Sequence, residues 1–328
     1  MRFRLTSRLV FLGLFAVAFA VAAAGCGREG NDESNAGAAT NTSEALAGKV
    51  EVDGSSTVGP LISAAAEQFR GENRDVDVRV GTSGTGGGFE RFCAGETDIS
   101  NASRPIKDDE EAPLCKKNGV EYTELHVATD ALTVVVNEEN DWATCLTTGQ
   151  LKTIWEPAAE KKVTNWNQVD PSFPDQELSL AGPGTDSGTF DYFTDEVNGE
   201  EGASRTDYQA SEDDNVVVQA VAGEKGGLGY FGFSYFEANQ DTLNAAEIDS
   251  GDGCVAPSVE SAQDGTYTPL SRPLFIYVKN ESLQRPEVEA FVRYVLENSQ
   301  SIAEAAEFVP LNDDQAQESM SAFEAAGT

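Results

Sequence analysis

The sequence predicts an α/β protein of two lobes joined by a hinge that the chain crosses twice. Three observations predict it. Short apolar strands alternate with helical patterns from residue 49 onward, the rhythm of a mostly parallel sheet with helices on both faces. Two longer stretches, Tyr122 to Asn137 and Leu270 to Lys279, are rich in β-branched and aromatic residues. About 130 residues with strands and helices of their own lie between them. The economical reading is a second lobe, 129–269, inserted into a first lobe built from 49–128 plus 270–328. Two α/β lobes on such a hinge close on a ligand.

The chain opens on Arg2, Arg4 and Arg8, runs through an apolar stretch from Leu9 to Ala24, and reaches Cys26 through small residues. A basic start, a short apolar stretch and small residues before a cleavage point read as a secretory signal. The apolar stretch is slightly short for a membrane-spanning helix. A cysteine directly after small residues resembles a bacterial lipobox, although Ala23 stands where such boxes usually carry Leu. The reading is a lipoprotein signal peptide over 1–25 with lipidation on Cys26. Residues 26–48 follow as a tether. Their Gly, Ala, Ser, Asn and Thr cannot bury enough surface to order themselves, and a flexible coil of that length spans roughly 25 Å.

Beyond the tether, Lys49 to Asp53 is a strand. Val58 to Arg70 is a helix with Leu61, Ile62, Ala65 and Phe69 on one face. Val76 to Val80 alternates as a strand, Phe89 to Ala94 starts a helix, and Thr97 to Ser100 is a third strand. In the inserted part, Leu151 to Trp155 and Val216 to Val221 look helical and Leu228 to Phe233 looks like a strand. After the second crossing, Pro286 to Asn298 and Ser301 to Phe308 are helical.

Composition narrows the function. A chain of 328 residues suits about two domains. Its 56 acidic and 22 basic residues give −34, and removal of 1–25 leaves 19 basic residues and about −37. No basic field exists to draw in a nucleic-acid backbone, so no nucleic-acid partner is expected. One histidine, His126, disfavours His-rich zinc sites and most histidine acid–base chemistry; neither a metal nor a cofactor is expected. Cys93, Cys115, Cys145 and Cys254 remain after the lipidated cysteine. An even count in an exported chain reads as two disulfides, with three connectivities open. Cys93–Cys115 with Cys145–Cys254 is favoured, because each pair then falls within one lobe.

Four loops share one chemistry. They are Asp53-Gly-Ser-Ser-Thr57, Gly81-Thr-Ser-Gly-Thr-Gly-Gly-Gly-Phe89, Asp98-Ile-Ser-Asn-Ala-Ser-Arg104 and Gly182-Pro-Gly-Thr-Asp-Ser-Gly-Thr-Phe190. Three lead from a strand into a helix and one ends a strand. Each offers backbone N–H groups beside Ser or Thr hydroxyls, an anion site built from dipoles and hydrogen bonds. The plain alternative for any one of them is an N-cap or a turn. Four in one chain, from both lobes, favour the ligand.

At these loops the sequence resembles the phosphate-binding lipoproteins of bacterial phosphate ABC transporters, over about residues 48–312. The resemblance is carried by DGSSTVGPL at 53–61, GTSGTGGGFERF at 81–92, DISNASRPI at 98–106, GPGTDSGTFDYF at 182–193 and GYFGF at 229–233. It implies a type II periplasmic-binding-protein fold holding inorganic phosphate between two lobes. It implies a monomer, lipid-anchored on the outer face of the cytoplasmic membrane, that delivers phosphate to a membrane-embedded ABC permease. Position by position it implies phosphate contacts from Ser56, Thr57 and the N–H of Val58, from Ser83 and Thr85, and from Ser103. From the second lobe it implies Ser187, Gly188 and Thr189. Many members carry an Arg where this chain has Pro183, and some carry an Asp where it has Ser103. Arg104 is the expected replacement for the missing cation. Asp186, Asp213 and Asp214 are candidates for the carboxylate that would accept the proton of monohydrogen phosphate and repel sulfate.

The rival ligand is another tetrahedral oxyanion, sulfate or molybdate. An exported serine hydrolase would need a base, and His126 lies in a strand pattern far in sequence from any candidate Ser; no GxSxG or SxxK occurs. Phe89, Phe190, Tyr192, Phe193, Tyr230, Phe231 and Phe233 read as core rather than as a stacking platform.

Overall fold

The strand–helix alternation is present in the structure, a computed structural model that describes residues 46–327. The signal peptide, the tether up to residue 45 and lipidation at Cys26 lie outside the described residues. β1 (Ala47–Gly54) begins earlier than expected, so Ala47 and Gly48 belong to the sheet and not to the tether. Helix α1 (Val58–Glu72) buries Leu61, Ile62, Ala65 and Phe69, the face expected from their spacing. β2 (Asp75–Val80) leads to α2 (Gly84–Cys93), whose first turns are the glycines themselves. β3 (Ile99–Ala102), α3 (Glu111–Asn118) and the long β4 (Tyr122–Asn137) follow.

The inserted part starts with β5 (Cys145–Thr147) and α4 (Thr148–Trp155), then β6 (Ser179–Gly182) and the short α5 (Gly188–Phe193). β7 (Gln209–Ala210), α6 (Asp214–Gly223), β8 (Gly227–Gly232) and α7 (Phe233–Glu237) come next. It closes with β9 (Leu243–Ala245), β10 (Glu247–Asp249), β11 (Cys254–Val255) and α8 (Val259–Gln263). The chain returns through β12 (Ser271–Lys279) to α9 (Pro286–Glu297), α10 (Ser299–Ala305) and α11 (Asp313–Ala326).

One sheet runs β2-β1-β3-β12-β4-β8-β6-β7, with β9 also on β4. Its outer pairs are parallel, as expected. Its centre is not: β12 is antiparallel to both β3 and β4, and β4 is antiparallel to β8. The expectation of a mostly parallel sheet is therefore corrected to a mixed one. The reason is the return crossing, which enters between two strands already running the other way.

β4 changes partner along its length. Tyr122 to Ala131 pairs with β12, and Leu132 to Val136 pairs with β8. The Leu132 N–H donates to the Leu270 carbonyl at 2.8 Å, where the two crossings lie side by side. Different cores form on either side of this change. Leu125 and Val127 of β4 join Val50, Val52, Leu61, Phe69, Ile276 and Phe291. Val134 and Val136 face Trp155, Trp166, Phe193 and Tyr230, while Val135 faces Val217, Val221 and Phe231. That alternation follows from the two-residue period of a strand.

Both favoured disulfides are present. Cys93–Cys115 ties the end of α2 to α3, and Cys145–Cys254 ties β5 to β11. Among the described residues no helix is long and apolar enough to cross a membrane.

Candidate functional site

Asp53, buried near the end of β1, organises the loops around it. Its carboxylate accepts the N–H of Gly54 at 2.7 Å, the N–H of Ser83 at 2.9 Å and the guanidinium of Arg91. The first two glycine- and hydroxyl-rich loops are thereby fixed to one another. The Ser55 hydroxyl accepts the N–H groups of Thr57 at 3.2 Å and Val58 at 3.4 Å. The first turn of α1 is thus capped from within its own loop, and the Val58 side chain is fully buried.

α2 lies very close to the sheet. A Cβ on Gly88 would stand 2.4 Å from the Gly54 Cα and 3.0 Å from the Ser100 Oγ, so only glycine fits there. This approach brings the start of α2 up to the end of β3. The Thr85 Oγ1 and Ser103 Oγ lie 3.1 Å apart, and the Ser103 N–H donates to the Thr85 Oγ1 at 3.3 Å.

These loops surround a cavity of about 460 Å³. Of the residues expected from sequence, Ser56, Thr57, Ser83, Thr85, Ser103, Arg104 and Gly188 are on its wall. Val58, Ser187 and Thr189 are not on that wall. The Ser187 hydroxyl caps α5 by accepting the Thr189 N–H at 3.2 Å. The two parts of the chain meet at the cavity: a Cβ on Gly188 would be 3.6 Å from the Thr57 Oγ1. Arg104 reaches the wall with its charge engaged. Its Nη2 and Nη1 donate to the two carboxylate oxygens of Glu111, at 2.6 and 3.0 Å. That bond raises the guanidinium's affinity for its proton, and the guanidinium in turn helps hold Glu111 below its ordinary range against its burial.

Sequence reasoning missed a second arginine on the wall. Arg272 enters at the start of β12, its Nε and Nη2 both donating to the Asp130 Oδ2, at 3.1 and 3.0 Å. The Nη2 also donates to the Thr57 Oγ1 at 3.0 Å. Its guanidinium carbon lies 3.6 Å from the ring centre of Tyr192, whose hydroxyl donates to the Pro269 carbonyl at 2.7 Å. Asp130 is buried, which pushes its carboxyl up, with Arg272 opposing. The only sequence signal was a charge at each end of an apolar run, in Thr-Asp-Ala-Leu and in Ser-Arg-Pro-Leu.

The acids on the wall are also not those expected. Asp191, Asp195, Glu196 and Glu201 line the cavity; Asp186, Asp213 and Asp214 do not. Burial raises the carboxyls of Asp191 and Glu196, and Arg272 works against both shifts. Asp213 instead caps α6 through the Asn215 N–H at 3.0 Å. His126 is away from the cavity. Its Nε2 lies 2.8 Å from the Ala128 carbonyl, and its backbone exchanges hydrogen bonds with the Ser319 hydroxyl of α11. Burial lowers its pKa. The aromatics read as core are buried, with Phe193 and Tyr230 stacked at 3.8 Å. Tyr192 is buried too, and it also carries Arg272 on its ring.

Known proteins share this chain's pattern. A PBP superfamily domain matches residues 39–299. Protein SphX of Synechococcus elongatus is 51% identical over 263 residues, covering 80% of this chain and 77% of SphX. The phosphate-binding protein PstS of Staphylococcus saprophyticus is 40% identical over 301 residues, covering 91% of this chain and 89% of PstS. The crystal structure of a possible phosphate binding protein from Planctomyces limnophilus matches with a TM-score of 0.81 at 42% identity, covering 86% of this chain and 99% of that one.

Proposed function

The chain belongs to the PBP superfamily and, within it, to the family of the phosphate-binding protein PstS, and from that premise we propose that it captures one inorganic phosphate between two lobes and delivers it to a membrane-embedded ABC permease. The observation that carries this reading is the convergence of Thr57, Thr85, Ser103 and Gly188, from four separate loops, on one cavity. Hydroxyl and N–H donors on a tetrahedral oxyanion act at short range, and they suit a chain whose overall charge is strongly negative.

In this reading the first lobe is 49–128 plus 270–328, the second is 129–269, and β4 and β12 are the crossings. Ser56, Thr57, the Val58 N–H, Ser83, Thr85, Ser103 and Arg104 hold the anion from the first lobe. Ser187, Gly188 and Thr189 reach it from the second. In this reading the protein is a binder, as the names of its relatives describe them, and the one histidine, His126, has its ring Nε2 beside the Ala128 carbonyl, away from the cavity. Export on a signal peptide, a lipid on Cys26 and a flexible tether would hold a monomeric body at the outer face of the cytoplasmic membrane, within reach of its permease.

Isothermal titration with phosphate, arsenate and sulfate tests the reading. One phosphate per chain, with arsenate competing and sulfate far weaker, is the expected result. Absence of phosphate binding, or sulfate preferred over phosphate, overturns it.

A further inference from the structure

Arg272 touches both of the chain segments that meet at the cavity, the first loop and α5. Its Nε and Nη2 grip Asp130 on β4, and its Nη2 also reaches Thr57 on the first loop. Its face lies on Tyr192 of α5. Tyr192 is itself held by the Pro269 carbonyl, just before β12. One nitrogen is left: Nη1 makes no hydrogen bond among the described residues, and Arg272 lines the cavity. In Arg104, by contrast, both terminal nitrogens are already bonded to Glu111.

Resting on the proposed phosphate site, we propose that Arg272 adds a second cation to it beside Arg104, contacting the bound anion through Nη1, and is the residue that couples its binding to the joining of the two lobes. Thr57 supports the first part. Its Oγ1 accepts from Arg272, so its own hydrogen is free to point outward as a donor to the anion. A guanidinium clamped by a carboxylate and an aromatic face is already oriented and loses little freedom on binding. The second part follows from where the clamps sit. Thr57 belongs to the first loop, Tyr192 to the inserted part and Asp130 to the crossing strand. The guanidinium is fully mounted only when all three are in place, so whatever it binds favours that arrangement.

The test uses Arg272→Lys and the double variant Arg272→Gln/Asp130→Asn, titrated with phosphate beside the wild type. The double variant leaves no unpaired charge buried. Small-angle scattering with and without phosphate reads closure. Lysine keeps the charge and loses both the fork and the stacking, so phosphate affinity should fall at least 10-fold. The double variant should fall by roughly 100-fold, and phosphate should no longer shrink its radius of gyration. If the double variant does not fold, Arg272→Lys alone decides. Affinity within 10-fold of wild type in a folded Arg272→Lys variant, or phosphate-driven compaction that survives in a folded double variant, overturns the inference and leaves the proposed function standing. A wild type that does not bind phosphate overturns both.

Discussion

Replacing Gly88 by alanine should loosen a site that Gly88 does not touch. The new methyl carbon would stand 2.4 Å from the Gly54 Cα, 3.1 Å from the Gly54 N and 3.0 Å from the Ser100 Oγ. Carbon atoms pack at about 3.5–4.0 Å, and Gly54 is backbone that cannot rotate away. α2 must therefore withdraw by about 1 Å. Overpacking of this kind costs about 1–3 kcal/mol. Alanine regains up to about 1 kcal/mol over glycine inside a helix, leaving a net loss of up to about 2 kcal/mol. At about 2 kcal/mol, Tm in a body of this size falls by roughly 4–8 °C. The same shift carries Thr85 away from Ser103, now 3.1 Å distant. Loss of one hydrogen bond to a charged ligand costs about 1.5–3 kcal/mol, so phosphate should bind about 10- to 100-fold more weakly. Gly86→Ala is the control for the melt, because its methyl would meet only the Arg104 Nη2, at 3.9 Å. Thermal melts and titration calorimetry read both effects. A Gly88→Ala protein with unchanged Tm and unchanged affinity would refute the claim that close helix–sheet packing positions the second loop.

Thr85→Val removes a hydroxyl from the cavity with little change in shape and should weaken phosphate binding about 10- to 100-fold in the same titration. The Asp214 carboxyl is pushed up to about 6 by burial first, then by Glu307, Asp213 and Glu212. A raised pKa means its stabilising contribution is complete below about 4 and lost as pH rises through about 6. Asp214→Asn should therefore raise Tm at pH 7.5 by roughly 1–3 °C, allowing for its partial exposure, and by much less at pH 4.5. Removing the Cys145–Cys254 pair, which spans 109 residues, should lower the urea midpoint more than removing Cys93–Cys115, which spans 22; chain entropy gives about 4.8 against about 3.4 kcal/mol. A body near −37 repels a divalent anion at long range, so the phosphate on-rate in stopped flow should rise between about 0.01 and 0.1 M salt.

Local features were the ones legible in the sequence. The four loops announce themselves because glycine and hydroxyl residues cluster at strand ends. β4 and β12 announce themselves by sixteen and nine residues of strand pattern. Features that depend on partners could not be read. Nothing within Leu270 to Lys279 says that it will insert antiparallel beside β3. Arg272 and Asp130 are 142 residues apart, and each alone looks like a solvated charge at the edge of an apolar run. Helix α11 escaped because its apolar residues are sparse; only Phe323 and Ser319 are buried, the latter bonded to β4 at His126. The glycines of the second loop read as a loop before a helix starting at Phe89, yet they form the first turns of α2, and the sheet leaves no room for a side chain at Gly88.

The place of β12 in the sheet also sets a timetable. It lies between β3 and β4, yet it is made only after the whole inserted part. Until residue 279 has left the ribosome, β3 and β4 have no strand between them, and the first core lacks Leu274, Ile276 and Val278. Bringing Leu270 back beside Leu132 closes an excursion of more than a hundred residues, at a cost of about 4 kcal/mol before any pairing is regained. Pairing over such distances is slow. The nascent chain thus goes through most of its synthesis without a finished sheet.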